Sequence, residues 1–155
     1  ALDATLRAHG WAEVVRLDAP DVVIETDPRR LDRIVVNLVA NAVHHGGAGV
    51  TLTVTPGDET VISVRDTGPG VASEDLPRLF DRHFKASGSR DRGGEPSRAS
   101  GGSGLGLAIA RESAHLLGGR IEVDSTPGQG ATFRLVLPNG PLARPPQLSG
   151  ASGPV

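Results

Sequence analysis

The 155-residue chain contains no cysteine and few aromatic side chains, and both shortages limit what it can be. Without cysteine it has neither disulfides nor thiolate metal sites, although this leaves its compartment open. Aromatic residues make up 3% of the chain and hydrophobic residues 37%. Valine, leucine, isoleucine and alanine must therefore fill the core of a chain whose length fits one domain. Such a core favours a sheet with helices packed on it.

A strong net charge and long apolar runs are also missing. The formal net charge is -2 and no basic stripe follows the sequence, so we expect no nucleic-acid partner. No apolar run approaches the roughly 20 residues needed to cross a bilayer, and residues 1–10 lack the core of a signal peptide. We therefore expect no direct membrane contact by this chain.

Two segments have compositions that do not support packing. Residues 87–104 read SGSRDRGGEPSRASGGSG, and residues 139–155 read NGPLARPPQLSGASGPV. Both are rich in small and polar residues, which bury too little apolar surface to offset the entropy of ordering. We predict one domain over residues 1–138, with a flexible segment at about 81–103, followed by a disordered tail over residues 139–155.

Hydrophobic periodicity predicts three pairs of strands. EVVRLD and VVIET, separated by APD, read as a short hairpin. Alternating valine, leucine and threonine over residues 50–55, a Pro-Gly-Asp turn and a second run over 60–66 predict another pair. RIEVDS and ATFRLVLP, joined by TPGQG, predict a closing hairpin.

Two longer segments have helical periodicity. Residues 27–46 form the first, and LGLAIARESAHLLGG forms the second, with an apolar side made of Leu105, Ala108, Ile109 and Leu116. The predicted fold class is α/β. We expect a two-layer α/β sandwich, in which a mixed, mostly antiparallel sheet of about five strands is covered on one face by about three helices.

The first helix carries amides beside its apolar stripe. Asp27 suits the N-cap and Pro28 the first helical position. The stripe consists of Leu31, Ile34, Val35, Leu38 and Ala42. Asn37 and Asn41 fall about 100° from its centre, with His44 close beside them. These amides are either solvated and bonded to neighbouring backbone, or the edge of a site.

A carboxylate ends the strand VISVRD on its apolar side. Ile62, Val64 and Asp66 share one face because side chains alternate along a strand. A buried carboxylate needs hydrogen-bond donors from the protein or from a ligand amino group. Gly68 and Gly70 follow and would let a flat ligand approach the backbone. The alternative is that Asp66 merely caps a turn.

Glycines lead into the second helix in GGSGLGLAIA, at positions 101, 102, 104 and 106. Unpaired N–H groups and the helix dipole there favour an anion, and we expect that anion to be phosphate. A P-loop needs Gly-Lys-Ser/Thr, and the chain's one lysine is Lys85; the Rossmann glycine spacing is not met either. A different nucleotide site, or a simple flexible linker, would explain the glycines.

Together these segments resemble the ATP-binding catalytic domain of sensor histidine kinases, in the superfamily that includes gyrase and mismatch-repair ATPases. NLVANAVHHG resembles the family's N box, DTGPG its G1 box, LFDRHFKA its F box and GGSGLGLAIA its G2 box. GGRIEVDSTPGQGATFRLVLP is similar to its closing strands. The order and spacing of the four boxes carry the resemblance, which spans about residues 27–138.

The resemblance implies a role for each box. Asn41 would coordinate Mg²⁺ bridging the phosphates of ATP, with Asn37 assisting one turn earlier. Asp66 would accept a hydrogen bond from the adenine 6-amino group, and Thr132 would share a water with that carboxylate and the base. Phosphate and base would also contact residues of the G1 and G2 boxes, namely Gly68, Gly70, Gly102, Gly104, Leu105 and Gly106.

The segment between the F and G2 boxes corresponds to the family's ATP lid. Phe80 and Phe84 would anchor its start, unless they are ordinary core residues. Arg82 or Lys85 would neutralise the γ-phosphate during transfer. The family often has lysine and tyrosine after the second asparagine, where this chain has His44 and His45; we expect both histidines to lie at the nucleotide.

The resemblance implies transfer of a phosphoryl group to protein. Hydrolysing relatives have a glutamate, acting as general base, where this chain has Asn37. The acceptor would be a histidine on a dimeric helical hairpin of the same protein, serving a response regulator, and none of the five histidines here lies in a similar context. The parent would be a membrane-anchored homodimer with this domain in the cytoplasm. An anti-sigma-type serine kinase and a nonenzymatic ATP-binding regulator are the alternatives.

Overall fold

A computed structural model describes residues 1–46, 49–84 and 104–139. The helices are α1 (Leu2–Ala8), α2 (Pro28–His45) and α3 (Gly106–Leu116), with a short 3-10 helix at Leu76–Arg78. The strands are β1 (Val15–Asp18), β2 (Val50–Thr55), β3 (Glu59–Asp66), β4 (Arg120–Ser125) and β5 (Ala131–Pro138).

The five strands form one mixed sheet in the order β1-β2-β3-β5-β4. The β1–β2 pair is parallel and the other three pairs are antiparallel. Buried side chains of the sheet and of the helices belong to a single apolar cluster. The predicted α/β sandwich, with a mostly antiparallel sheet of five strands and three helices, is confirmed.

Helix α2 begins as its sequence predicts. The Asp27 carboxylate accepts hydrogen bonds from the backbone N–H groups of Arg29 (2.9 Å) and Arg30 (3.2 Å), and Pro28 occupies the first turn. These bonds satisfy donors that the first turn of a helix leaves unpaired. The predicted stripe is buried, and the helix packs through Leu31, Ile34, Val35, Leu38, Val39 and Ala42.

The predicted hairpin at the start of the sheet is wrong. Val15–Asp18 is a strand, but VVIET is not, and β1 pairs with β2 in parallel. A parallel partner requires a crossover connection, and α2 supplies it. The alternation in VVIET still indicates which side chains are buried. Val22 and Ile24 pack against the core, while Val23 is 98% exposed.

The predicted apolar face of the second helix is also wrong. In α3 the buried positions are Ala110, Ser113 and Ala114, whereas Ile109 and Leu116 are 36% and 54% exposed. Small side chains allow α3 to pack closely on its neighbours, mainly on α2. Ile109 and Leu116 lie at the partly exposed edge of this contact.

The remaining predicted strands are present. β2 pairs with β3 and β4 with β5, each antiparallel as expected. Most of the lid segment and nearly all of the C-terminal tail lie outside the described residues, so both stay predictions, as do the domain limits. No helix within the described ranges is long and apolar enough to span a membrane.

Candidate nucleotide-binding site

The carboxylate of Asp66 is held inside the fold at the end of β3. Asp66 is 5% exposed and lies on the same face as Ile62 and Val64, as predicted. Its Oδ1 accepts hydrogen bonds from the backbone N–H groups of Gly68 (3.0 Å) and Ala131 (3.3 Å). Among the described residues both bonds end on Oδ1, which leaves Oδ2 as the oxygen available to a ligand donor.

The end of α2 lies directly against this carboxylate. A Cβ added to Gly46 would stand 2.2 Å from the Asp66 Cβ, and one added to Gly68 would stand 2.6 Å from the Gly46 Cα. Glycine is therefore required at both positions, because any side chain would separate the helix from the loop that follows β3. A Cβ added to Gly70, whose φ is 72°, would likewise stand 2.5 Å from the Thr126 carbonyl oxygen.

Asn37, on α2, lies against the beginning of α3. Its Nδ2 donates to the Arg33 carbonyl oxygen at 2.9 Å, and its Oδ1 lies 3.0 Å from where a Cβ on Gly106 would stand. The amide is thus partly satisfied by its own helix, as the simpler interpretation of the sequence expects. Asn41, half-buried, lies one turn further along, about 6 Å by the rise of an α-helix.

The first turn of α3 presents backbone N–H groups for which its N-cap supplies no side-chain acceptor. Leu105 is the N-cap and provides no capping side chain. The N–H groups at the start of such a helix carry partial positive charge and favour an anion. Gly104, in a left-handed conformation with φ at 71°, accepts a hydrogen bond from the His83 N–H at 2.9 Å. This bond joins the F box to the entry of α3.

The F box is anchored to the body of the domain. Phe80 is 9% exposed and packs edge-on against Phe133 with ring centroids 6.4 Å apart, so it is a core residue. The guanidinium of Arg78 lies 4.6 Å from the centre of the half-buried Phe84 ring. Arg82, predicted to act on the γ-phosphate, forms an exposed ion pair with Glu112 of α3 at 3.7 Å.

The structure does not bring every predicted residue to the site. Thr132 pairs with Arg65, while Phe133 pairs with Val64, so Thr132 lies on the opposite face of the sheet from Asp66. Ala131, one residue earlier, is the residue that contacts Asp66. A one-residue shift in a strand reverses the face, which explains why Thr132 does not reach the carboxylate.

Two histidines and two lid residues complete the predicted set. The exposed His44 has its Nδ1 2.7 Å from the Ala40 carbonyl oxygen, and His45 is also exposed. Lys85 and Gly102 lie outside the described residues. Sequence interpretation missed Gly46, which read as an ordinary helix end; its position just before a loop and five residues after Asn41 was the available signal.

A groove of about 340 Å³ lies between α2 and α3, next to Asn37. Its other lining residues are Arg30, Arg33, Ile109, Glu112, Ser113 and Leu116. The groove shares only Asn37 with the predicted nucleotide residues. It therefore extends along the two helices away from Asp66.

Comparison with known proteins identifies the arrangement. Residues 26–141 match the model of the histidine kinase-, DNA gyrase B- and HSP90-like ATPases. The signal transduction histidine-protein kinase AfsQ2 of Streptomyces coelicolor is 48% identical over 90% of this chain and 25% of its own length. The sensor histidine kinase MtrB of Mycobacterium tuberculosis is 42% identical over 81% of this chain and 21% of its own length.

Solved structures agree with the sequence relatives. Full-length ShkA in complex with AMPPNP has a TM-score of 0.69 and 28% identity, covering 93% of this chain and 31% of that one. The mycobacterial sensor histidine kinase MprB, at 24% identity and a TM-score of 0.64 over 90% of this chain and 91% of that one, shares the fold.

The chain belongs to the family of histidine kinase-, DNA gyrase B- and HSP90-like ATPases. Within that family its curated relatives are sensor histidine kinases, and the chain is similar to part of each of them. It spans about a quarter of the length of those relatives.

Proposed function

We propose that this domain binds Mg-ATP and supplies the γ-phosphoryl group to a histidine on a separate helical hairpin of the same protein. The supporting observation is the arrangement along α2: its C-terminal end touches Asp66, and Asn37 touches the start of α3. Asn41 lies between these two contacts. A nucleotide with its base at Asp66 and its phosphates at α3 would therefore pass Asn41.

The adenine end has the chemistry to select a purine amine. Asp66 Oδ1 is occupied by two backbone donors, so the carboxylate is held in one orientation. Its Oδ2 can accept one hydrogen bond from an exocyclic 6-amino group, and the close packing of Gly46 and Gly68 fixes the backbone beside it. A base that presents a carbonyl oxygen at that position would face a carboxylate and be rejected.

The phosphate end fits a magnesium ion shared between protein and nucleotide. In the described parts of the chain no cluster of three or more histidine or acidic side chains could hold a metal alone. Mg²⁺ is commonly bound by one or two oxygen ligands together with substrate phosphates and water. Asn41 would supply its amide oxygen, and the bound ion would offset negative charge on the phosphates while the N–H groups of α3 hold them.

The side chain at Asn37 favours phosphoryl transfer over hydrolysis. An amide cannot remove a proton from water, and the Asn37 Nδ2 already donates to Arg33. In the transfer, a neutral imidazole nitrogen would form a bond to the γ-phosphorus, and the bond to the β–γ bridging oxygen would break, releasing ADP. The domain's contribution would be positioning and charge stabilisation.

Calorimetry with Mg-ATP tests the binding part of the proposal. Asp66→Asn should retain the contacts on Oδ1 but place an amide donor opposite the adenine amine, so that affinity falls at least about 30-fold with the fold intact. Asp18→Asn, at the end of β1, is the matched control and should bind as the unchanged chain does. Absence of binding heat in the unchanged chain would overturn the proposal.

Labelled ATP tests the transfer part. The 155-residue chain alone should bind nucleotide without incorporating label, and addition of the parent protein's histidine-bearing hairpin should give acid-labile phosphate on the hairpin. Asn41→Ala should abolish this transfer, while Gln129→Ala, an exposed amide in the β4–β5 turn, should not. Label on serine of another protein would instead support the serine-kinase alternative, and label on this chain alone would contradict the assignment.

A further inference from the structure

The side chain of Ser125 joins two backbone segments on either side of Asp66. Its hydroxyl accepts a hydrogen bond from the Val71 N–H at 2.8 Å and donates one to the Gly130 carbonyl oxygen at 2.9 Å. A hydroxyl has one donor and two acceptor positions, so both bonds are compatible. Ser125 is the last residue of β4 and is half-buried.

The two segments that Ser125 joins carry both donors to the Asp66 carboxylate. Val71 lies in the same loop as Gly68, and Gly130 immediately precedes Ala131. The N–H groups of Gly68 and Ala131 both bind Oδ1. Ser125 therefore fixes the distance between the loop after β3 and the start of β5. That distance determines whether the N–H groups of Gly68 and Ala131 can both reach Asp66 Oδ1.

We propose that Ser125 is a positioning residue for adenine recognition: its hydroxyl keeps both donors on Asp66 Oδ1 and so aims Oδ2 at the 6-amino group. This inference rests on the proposed function, because it assigns Ser125 a role through Asp66 and not through any contact of its own with nucleotide. One further link between the segments, from the Gly128 N–H to the Pro69 carbonyl oxygen at 2.6 Å, is made by backbone alone. A change at Ser125 would leave that link in place, so the loop should loosen without unfolding.

The test compares ATP with purine riboside triphosphate, which lacks the 6-amino group, by calorimetry in the presence of Mg²⁺. Ser125→Ala should weaken ATP binding about tenfold. Its affinity for the amine-free analogue should stay within about twofold of that of the unchanged chain. The ratio of the two affinities, which measures discrimination between the nucleotides, should therefore fall. Ser125→Cys, of similar size but a weak donor and acceptor, should behave as alanine does, and Ser125→Thr, which keeps the hydroxyl, should restore the discrimination.

Two variants separate positioning from stability. Thr60→Val removes a buried hydroxyl that donates to Asn139 at 2.7 Å, at the opposite end of β3 from Asp66. It should lower the unfolding temperature at least as much as Ser125→Ala does and leave discrimination unchanged. Ser63→Ala, on the other face of the same strand, controls for loss of a strand hydroxyl and should change neither quantity.

A double-mutant cycle identifies the residue through which Ser125 acts. In an Asp66→Asn background, Ser125→Ala should produce no further loss of discrimination, because the carboxylate it orients has been removed. Equal weakening of both nucleotides by Ser125→Ala, or an additive effect in the cycle, would overturn the inference while leaving the proposed function standing. Failure of the unchanged chain to bind ATP would instead reject the proposed function itself.

Discussion

At the residue scale, the missing side chain at Gly46 allows the end of α2 to touch Asp66. We expect Gly46→Ala to destabilise the fold by about 1–3 kcal/mol, because the added methyl would stand 2.2 Å from the Asp66 Cβ and 2.3 Å from the Ala42 carbonyl oxygen. Displacement of the helix end should also weaken Mg-ATP binding. Urea unfolding and calorimetry measure the two effects.

Gly57→Ala provides the matched control for that substitution. A Cβ at Gly57 approaches only the Glu59 carbonyl oxygen, at 3.3 Å, in the exposed turn between β2 and β3. Its effect on unfolding should stay within about 0.5 kcal/mol, as for most surface changes. Equal urea midpoints for the two variants would contradict the close packing assigned to Gly46.

Residue-level prediction succeeded where a single strand or helix sets the geometry. Asp66 lies among Ile62 and Val64 because alternation along one strand suffices to place it. The Thr132 prediction came from the family resemblance, whereas alternation along β5 places Thr132 on the face opposite the apolar residues that pack beside Asp66. Gly46 was missed because its role is set by Gly68 and Asp66, which are distant in sequence.

At the element scale, α2 depends on the charge of its N-cap. The backbone N–H of Arg30, followed by that of Arg29 and the Arg30 charge, holds the pKa of Asp27 below its ordinary value of 3.8. A carboxylate with a lowered pKa in the folded state contributes stability above the unfolded pKa, and loses it as the pH falls through the folded value. The ionised form therefore stabilises the start of α2 at neutral pH.

Asp27→Asn tests this contribution, because asparagine caps a helix without charge. The unfolding temperature of the unchanged chain should exceed that of the variant at pH 6. The difference should diminish as the pH falls below 3.8. The pKa of Glu59 is also lowered, chiefly by its hydrogen bond with the Arg120 side chain. Because Glu59 is present in both proteins, its contribution to the pH dependence does not affect the difference between their unfolding temperatures. A difference that is constant from pH 6 to pH 3 would reject a role for the charge.

Element-level prediction was reliable for α2 and poor for α3. The α2 stripe contains large side chains that can only be buried, so periodicity alone locates the core face. In α3 the contact face is made of Ala110, Ser113 and Ala114, which periodicity does not distinguish from polar surroundings. Ile109 and Leu116 were predicted to be buried because they are larger, but they lie at the partly exposed edge of the contact and line the groove between the two helices.

At the scale of the whole molecule, the folded unit begins well before the part that matches the family. The match starts at residue 26, yet α1 and β1 precede it and pack on the core through Leu6, 2% exposed, and Val15, 5% exposed. β1 also covers the edge of β2 with a parallel ladder. Parallel pairing across α2 joins residues far apart in sequence, so the strand pattern alone did not reveal it.

Truncation tests whether this N-terminal region is integral. A chain starting at residue 26 loses the burial of two aliphatic side chains, each worth about 1.5–3 kcal/mol, and exposes an unpaired strand edge. We expect its unfolding free energy to fall by at least about 3 kcal/mol, a large part of the 5–15 kcal/mol typical of a domain. Removal of residues 140–155, whose composition predicts no packing, should leave the urea midpoint unchanged. If the chain starting at residue 26 also kept the urea midpoint of the unchanged chain, the folded domain would not need α1 and β1, and its boundary would lie at the start of the family match.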